Sequence, residues 1–223
     1  MRLNLSQKSG IYFSFFLLLS LIAKTANAVP LQVGILIEPG YEYRTLKDIG
    51  PDEEKFKMAG LSGSAIAQIM LVTKSPVVPF LGLGYNFTQL EGKKSIQDKD
   101  LTITYKGHQS AIVEAGLGFV LNKKFRLEVF GDYQQLLAGD IKVKPEDSDD
   151  NTEKVDTKIK FGENMKYRVG ARFFVTAWKR FDFGISGAYN LGNVRAKVEE
   201  AEKVDFTGFQ ANLVVRMRVG NTK

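Results

Sequence analysis

Three sets of residues in this 223-residue chain have the types and spacing to do chemistry. The first is a series of carboxylates and guanidiniums spaced along alternating segments: Glu38, Glu114, Glu128, Asp132, Arg168, Arg172 and Arg216. A charge placed among apolar side chains is costly unless paired. Such groups either neutralise one another in a fixed network or form a path for protons or ions. The second set is His108, the sole histidine, with Ser110 two positions on. A histidine and a serine together can serve nucleophilic catalysis, but a lone histidine is far more often structural. The third is Lys144–Asp156, KPEDSDDNTEKVD, where Glu146, Asp147, Asp149 and Asp150 could approach a divalent cation. They lack the spacing and the glycine of a calcium loop, so a solvated charge run is the simpler account. No phosphate-binding glycine loop, zinc pattern or nucleophile elbow is present. The chain has no cysteine, which excludes disulfides and thiolate chemistry. No catalytic residue, cofactor or metal ligand is therefore assigned, and the protein is expected not to be an enzyme.

The elements that must position these charges alternate with period two. In Ser110–Val120, SAIVEAGLGFV, the residues Ala111, Val113, Ala115, Leu117 and Phe119 share one face of an extended chain. Glu114 lies on the other face with Ser110, Gly116 and Gly118. Eight segments read this way, each with its apolar face on odd numbers: Leu31–Tyr43, Ala59–Val72, Pro79–Leu90, Leu101–Val120, Phe125–Leu137, Ile159–Ala177, Phe181–Leu191 and Phe206–Gly220. Short connections (Thr73–Val78, Leu121–Lys124, Trp178–Arg180) alternate with long polar ones (Arg44–Met58, Glu91–Asp100, Lys144–Asp156, Arg195–Asp205). That rhythm is an up-and-down meander. Closure into a barrel removes both of its edges.

The odd face carries most of the rings, and the even face carries glycine at Gly34, Gly82, Gly84, Gly116, Gly118, Gly170 and Gly184. A narrow eight-stranded barrel has no room inside for so many rings. The aromatic face is thus expected outside, against lipid, with Glu114 in the lumen. Phe125, Trp178, Phe181 and Phe183 mark the short-turn side, and Tyr41, Tyr43, Phe87, Tyr105, Tyr133 and Tyr189 the long-loop side. Pairing across Leu121–Lys124 sets Glu114 opposite Asp132 and Glu128 opposite Gly118. Arg168 and Arg172 are the nearest cations, and Arg216 is expected near Glu38 where the barrel closes. The set reads as a structural lumen charge network.

Residues 1–28 have a basic start, an apolar run from Ile11 to Ala23 and the small-residue ending Ala26-Asn27-Ala28. This is a secretory signal peptide with cleavage expected after Ala28, leaving residues 29–223 as one barrel domain. The formal charge of the whole chain is +6. Arg2, Lys8 and Lys24 depart with the leader and no acid does, so the remainder carries +3, too balanced for a nucleic-acid partner.

Segments such as FLGLGYNF and VEAGLGFVL, set in eight alternating strands with short turns at one end, resemble the small outer-membrane β-barrel proteins typified by OmpA and OmpX. The resemblance spans residues 29–223 and is architectural, because no catalytic motif defines that group. It implies an all-β, eight-stranded antiparallel up-and-down transmembrane β-barrel in the cell outer membrane. Outer-membrane lipid and the export and barrel-insertion machinery are the implied partners, and the chain is expected to be a monomer. Its role would be structural or interactive, through four exposed loops with unspecified partners. A narrow channel for ions or small solutes is a second reading, and a soluble exported barrel binding an apolar ligand a third. One departure is the ending VGNTK, with Val219 where the family often places an aromatic residue.

Overall fold

Alternation, β-branched and aromatic residues, and the scarcity of interior proline make long strands. The computed structural model describes residues 31–49, 54–72, 74–96, 99–145, 157–160, 165–195 and 203–219. The expected leader at 1–28 and the loop acids Glu146, Asp147, Asp149 and Asp150 lie outside them. The strands are β1 (Leu31–Ile49), β2 (Glu54–Leu71), β3 (Val77–Ile96), β4 (Lys99–Val120), β5 (Phe125–Pro145), β6 (Thr157–Lys160), β7 (Met165–Trp178), β8 (Phe181–Arg195) and β9 (Lys203–Val219).

Each neighbouring pair is antiparallel. β1 pairs with β2 and with β9, and β4 pairs with β3 and with β5, so the sheet closes on itself. Eight strands form the wall. The short β6 only extends it, pairing Thr157–Lys160 with Asp140–Val143 at the far end of β5. The β4–β5 register sets Glu114 opposite Asp132 and Gly118 opposite Glu128, as the turn spacing predicts. That turn is held by Asn122, whose Oδ1 accepts hydrogen bonds from Lys124 N (2.8 Å) and Phe125 N (3.0 Å).

The polarity is inverted relative to a water-soluble barrel. Ile37, Leu61, Leu83, Val113, Val129, Val169, Ile185 and Leu213 are exposed on the outer surface, while the inward positions bury acids, arginines, serines and amides. This is the polarity of a transmembrane barrel. Inward apolar residues fill the space between the charges in three clusters. Leu36, Ile66, Ile112, Phe174 and Val214 make one. Met70, Val78, Phe80, Phe130 and Ala188 make the second. Leu46, Phe56, Met58, Leu90, Tyr105 and Phe206, towards the long-loop end, make the third.

Three expectations change. Two of the segments expected to be long loops, Arg44–Met58 and Glu91–Asp100, are largely sheet: β1 runs to Ile49, β2 begins at Glu54, β3 runs to Ile96, and β4 begins already at Lys99. The sixth expected strand, Ile159–Ala177, is described in two pieces, β6 and β7. Tyr105, expected on the outer surface, is inside and 0% exposed. The cause is a bulge. Thr88 pairs with His108 but Leu90 pairs with Tyr105, so β4 spends three residues where β3 spends two. Gly107 takes up the extra residue with a positive φ of 66°. Beyond it the faces of β4 exchange. Val219 ends β9 opposite Val33 with its side chain exposed.

Candidate functional site in the barrel lumen

The lumen charges are positioned by strand parity. Glu38 comes from β1, Glu114 from β4, Glu128 and Asp132 from β5, Arg168 and Arg172 from β7, and Arg216 from β9. All seven are buried. Arg172 is the centre: its Nε donates to Glu38 Oε1 at 2.5 Å, and its Nη2 and Nη1 donate to the two Glu114 oxygens at 2.5 and 3.0 Å. This two-pronged grip on Glu114 matches the planar fork of guanidinium to a carboxylate. Ser64 Oγ donates to the other Glu38 oxygen at 2.7 Å. Four residues towards the long-loop end of β7, Arg168 Nε donates to Asp132 Oδ2 at 2.6 Å, and its Nη2 stands 3.7 Å from Glu38.

Arg216 does not go to Glu38. Its Nη1 donates to Glu128 Oε1 at 2.5 Å and its Nη2 lies 2.7 Å from Asp182 Oδ2. On β9 it pairs with Leu36 of β1 and with Asp182 of β8, on the short-turn side of Glu38. Asp182 completes the set from β8. It also accepts from Thr176 Oγ1 at 2.8 Å and lies 3.1 Å from Arg218 Nη2. Arg126 Nε sits 2.9 Å from Glu128. Asp182, Arg126 and Arg218 lie on the inward parity of their strands, and that signal was available in the sequence.

Ion pairs join these groups into one continuous network. Five acids (Glu38, Glu114, Glu128, Asp132, Asp182) face five arginines (Arg126, Arg168, Arg172, Arg216, Arg218). Its formal charge is zero. Inward rings stack on the guanidiniums: Arg172 lies 3.8 Å from the Phe130 centroid, and Arg216 lies 4.1 Å from that of Phe174. Gln210 leads away from the charges, accepting from Arg168 Nη1 at 3.2 Å and donating to Ser62 Oγ at 3.0 Å.

A second polar group lies towards the long-loop end. Arg44 Nε donates to Glu42, and Thr88 Oγ1 donates to Glu42 Oε2 at 3.3 Å. Lys166 Nζ stands 5.1 Å from the Tyr105 ring centroid. His108 is here too, its imidazole stacked on Tyr105 with centroids 3.1 Å apart. Gly139, with a positive φ of 145°, backs that imidazole; a Cβ there would approach His108 Cδ2 to 2.6 Å. Ser110 is buried nearby in sequence. Among the described residues no group of three or more His, Asp or Glu is arranged to hold a metal ion.

No protein-family model matches the chain, and no curated protein sequence does. Solved barrels are similar in shape. Neisserial surface protein A is 11% identical, with a TM-score of 0.44, covering 82% of this chain and 96% of that one. Ail, the attachment invasion locus protein of Yersinia pestis, in complex with the heparin analogue sucrose octasulfate, is 15% identical, with a TM-score of 0.42 over 84% and 99%. The outer membrane protease OmpT of Escherichia coli is 7% identical, with a TM-score of 0.48 over 84% and 97%. Likeness at this level brings no activity with it. By its own strand pairing, closure and inverted polarity, the chain is an eight-stranded, all-antiparallel, up-and-down β-barrel of the transmembrane kind.

Proposed function

We propose that the protein is a non-enzymatic, monomeric barrel of the bacterial outer membrane, inserted after export, whose bore is stopped by its own side chains. Its work is then done by its surface, as a structural element of the membrane and through the strand ends and loops that it presents. The observation that carries this reading is the combination of an apolar outer wall with a buried lumen network in which five acids and five arginines are joined by ion pairs. Glu38, Glu114, Glu128 and Arg172 are each 0% exposed, enclosed by neighbouring side chains. From Phe125 to Tyr133, β5 spans nine residues between two outward aromatic rings, the length a tilted strand needs to cross a bilayer. The charged bore gives no support to a soluble barrel for an apolar ligand. Membrane fractionation combined with planar-bilayer recording tests the proposal. The protein should require detergent for extraction, travel with outer membranes and show no steady conductance. A stable single-channel conductance would replace this reading with that of a narrow channel. Recovery in the soluble fraction would overturn the membrane placement itself.

A further inference from the structure

The short-turn end of the barrel differs from the rest of the surface in the sign of its charge. Among the described residues its exposed ionic side chains are Lys74 between β2 and β3, Lys123 and Lys124 between β4 and β5, and Lys179 and Arg180 between β7 and β8. The acids on the adjoining strand ends, Glu128 and Asp182, are turned inward and buried. Among the described residues no exposed acid lies at this end. At the opposite end signs are mixed, with Glu91 and Asp205 exposed alongside Lys55, Lys57 and Lys106.

Backbone bonds tie each turn to the end of a neighbouring strand. Val120 N donates to Pro76 O at 2.8 Å, Thr176 N to Lys124 O at 2.8 Å and Arg218 N to Arg180 O at 2.7 Å. The five cations are therefore held around one rim, where an anion would relieve their mutual repulsion. Directly below them is an aromatic row. Trp178 packs edge-on against Phe181 and Phe183, at 6.2 and 5.6 Å between centroids, and Phe125 stacks on Phe173 at 5.7 Å. In sequence the two features touch: Lys123-Lys124-Phe125 and Trp178-Lys179-Arg180-Phe181. A partner that meets both must carry an anionic group immediately beside an apolar body.

We propose that this rim binds the phosphate headgroups of anionic lipids in the leaflet at the short-turn end, with Lys123, Lys124, Lys179 and Arg180 on the phosphates and the Trp178 cluster against the first acyl carbons. The inference rests on the bilayer placement proposed above. A soluble polyanion would meet the cations but leave the rings in water.

Trp178 is the sole tryptophan, is 65% exposed and lies within the rim, so its fluorescence reports the lipid beside it. The full barrel is refolded into phosphatidylcholine vesicles containing a minor share of phosphatidylglycerol, with brominated chains on one lipid or the other. Brominated phosphatidylglycerol should quench Trp178 as though enriched about fivefold over its share, the factor that one lysine-scale attraction to an anionic surface supplies. The enrichment should vanish near 1 M salt, where the screening length falls to about 3 Å, and in the variant Lys123→Gln/Lys124→Gln/Lys179→Gln/Arg180→Gln. The turn bonds given above use backbone atoms, so that variant should keep the wild-type far-ultraviolet spectrum. Quenching in proportion to bulk composition for both lipids would overturn the lipid preference while leaving the barrel in the bilayer. Loss of enrichment on adding inorganic phosphate, at ionic strength matched with chloride, would replace the lipid by a free-phosphate site. No quenching by either lipid would sink the bilayer placement, and this inference with it.

Discussion

Arg172 has the most to lose from a single substitution, because it holds two carboxylates from two other strands. Arg172→Ala leaves Glu38 and Glu114 facing each other in a closed bore, and a broken buried pair costs about 3–5 kcal/mol. Glu114→Ala should destabilise too, and the double variant should cost less than the two single costs combined if the contact is direct. Urea unfolding in lipid or detergent measures all three, and strict additivity would deny the coupling. Parity made the seven lumen charges legible as inward-facing, and spacing across the β4–β5 turn gave the Glu114–Asp132 register. Which acid each arginine grips was not legible. Arg216 reaches Asp182 and Glu128 rather than Glu38, because side-chain reach along the bore is independent of strand register. Tyr105 was misplaced for a different reason: one glycine at positive φ exchanges the faces of β4, and a parity count across it changes sign. Gly107→Val should cost about 1–2 kcal/mol from backbone strain alone, and should move the near-ultraviolet signal of the Tyr105–His108 stack.

At the scale of the strand, the outer wall makes a prediction independent of the lumen. Val129 is midway between the aromatic residues Phe125 and Tyr133 of β5 and is 45% exposed on the outer face. Val129→Lys places an ammonium at mid-bilayer and should cost roughly 2–4 kcal/mol in lipid vesicles. An unchanged unfolding midpoint in lipid would mean that this face does not meet hydrocarbon. The eight wall strands were legible where one face is apolar and the other polar. Their continuations were not: β1 beyond Arg44, β3 beyond Glu91 and β4 before Leu101 were expected to be loop. There the contrast between faces fades, yet the backbone ladder, which needs no particular side chain, continues from Tyr43–Ala59 to Leu46–Phe56 and from Glu91–Thr104 to Ile96–Lys99. Alternation in sequence records the boundary between lipid and interior, and it falls silent where that boundary ends.

For the molecule as a whole, the neutral network means that closure and charge balance arrive together, since its members come from both ends of the chain. The inward charges are also divided unevenly between the two halves. Among the described residues, on β1–β4 they are Glu38, Glu42 and Glu114 against Arg44; on β5–β9 they are Arg126, Lys166, Arg168, Arg172, Arg216 and Arg218 against Glu128, Asp132 and Asp182. The first half of the barrel to be synthesised therefore presents an anionic inner surface, and the second a cationic one. Each is a mould for the other, and neither is content with a copy of itself. Two polypeptides divided within the Leu121–Lys124 turn should find each other and assemble as a heterodimer, visible as one folded band on a non-denaturing gel. The charge swap Glu114→Arg with Arg172→Glu should preserve that mating, whereas either change alone should weaken it. Equal homodimer formation by the separate halves would show that backbone edges, and not the sign of the inner surface, choose the partner.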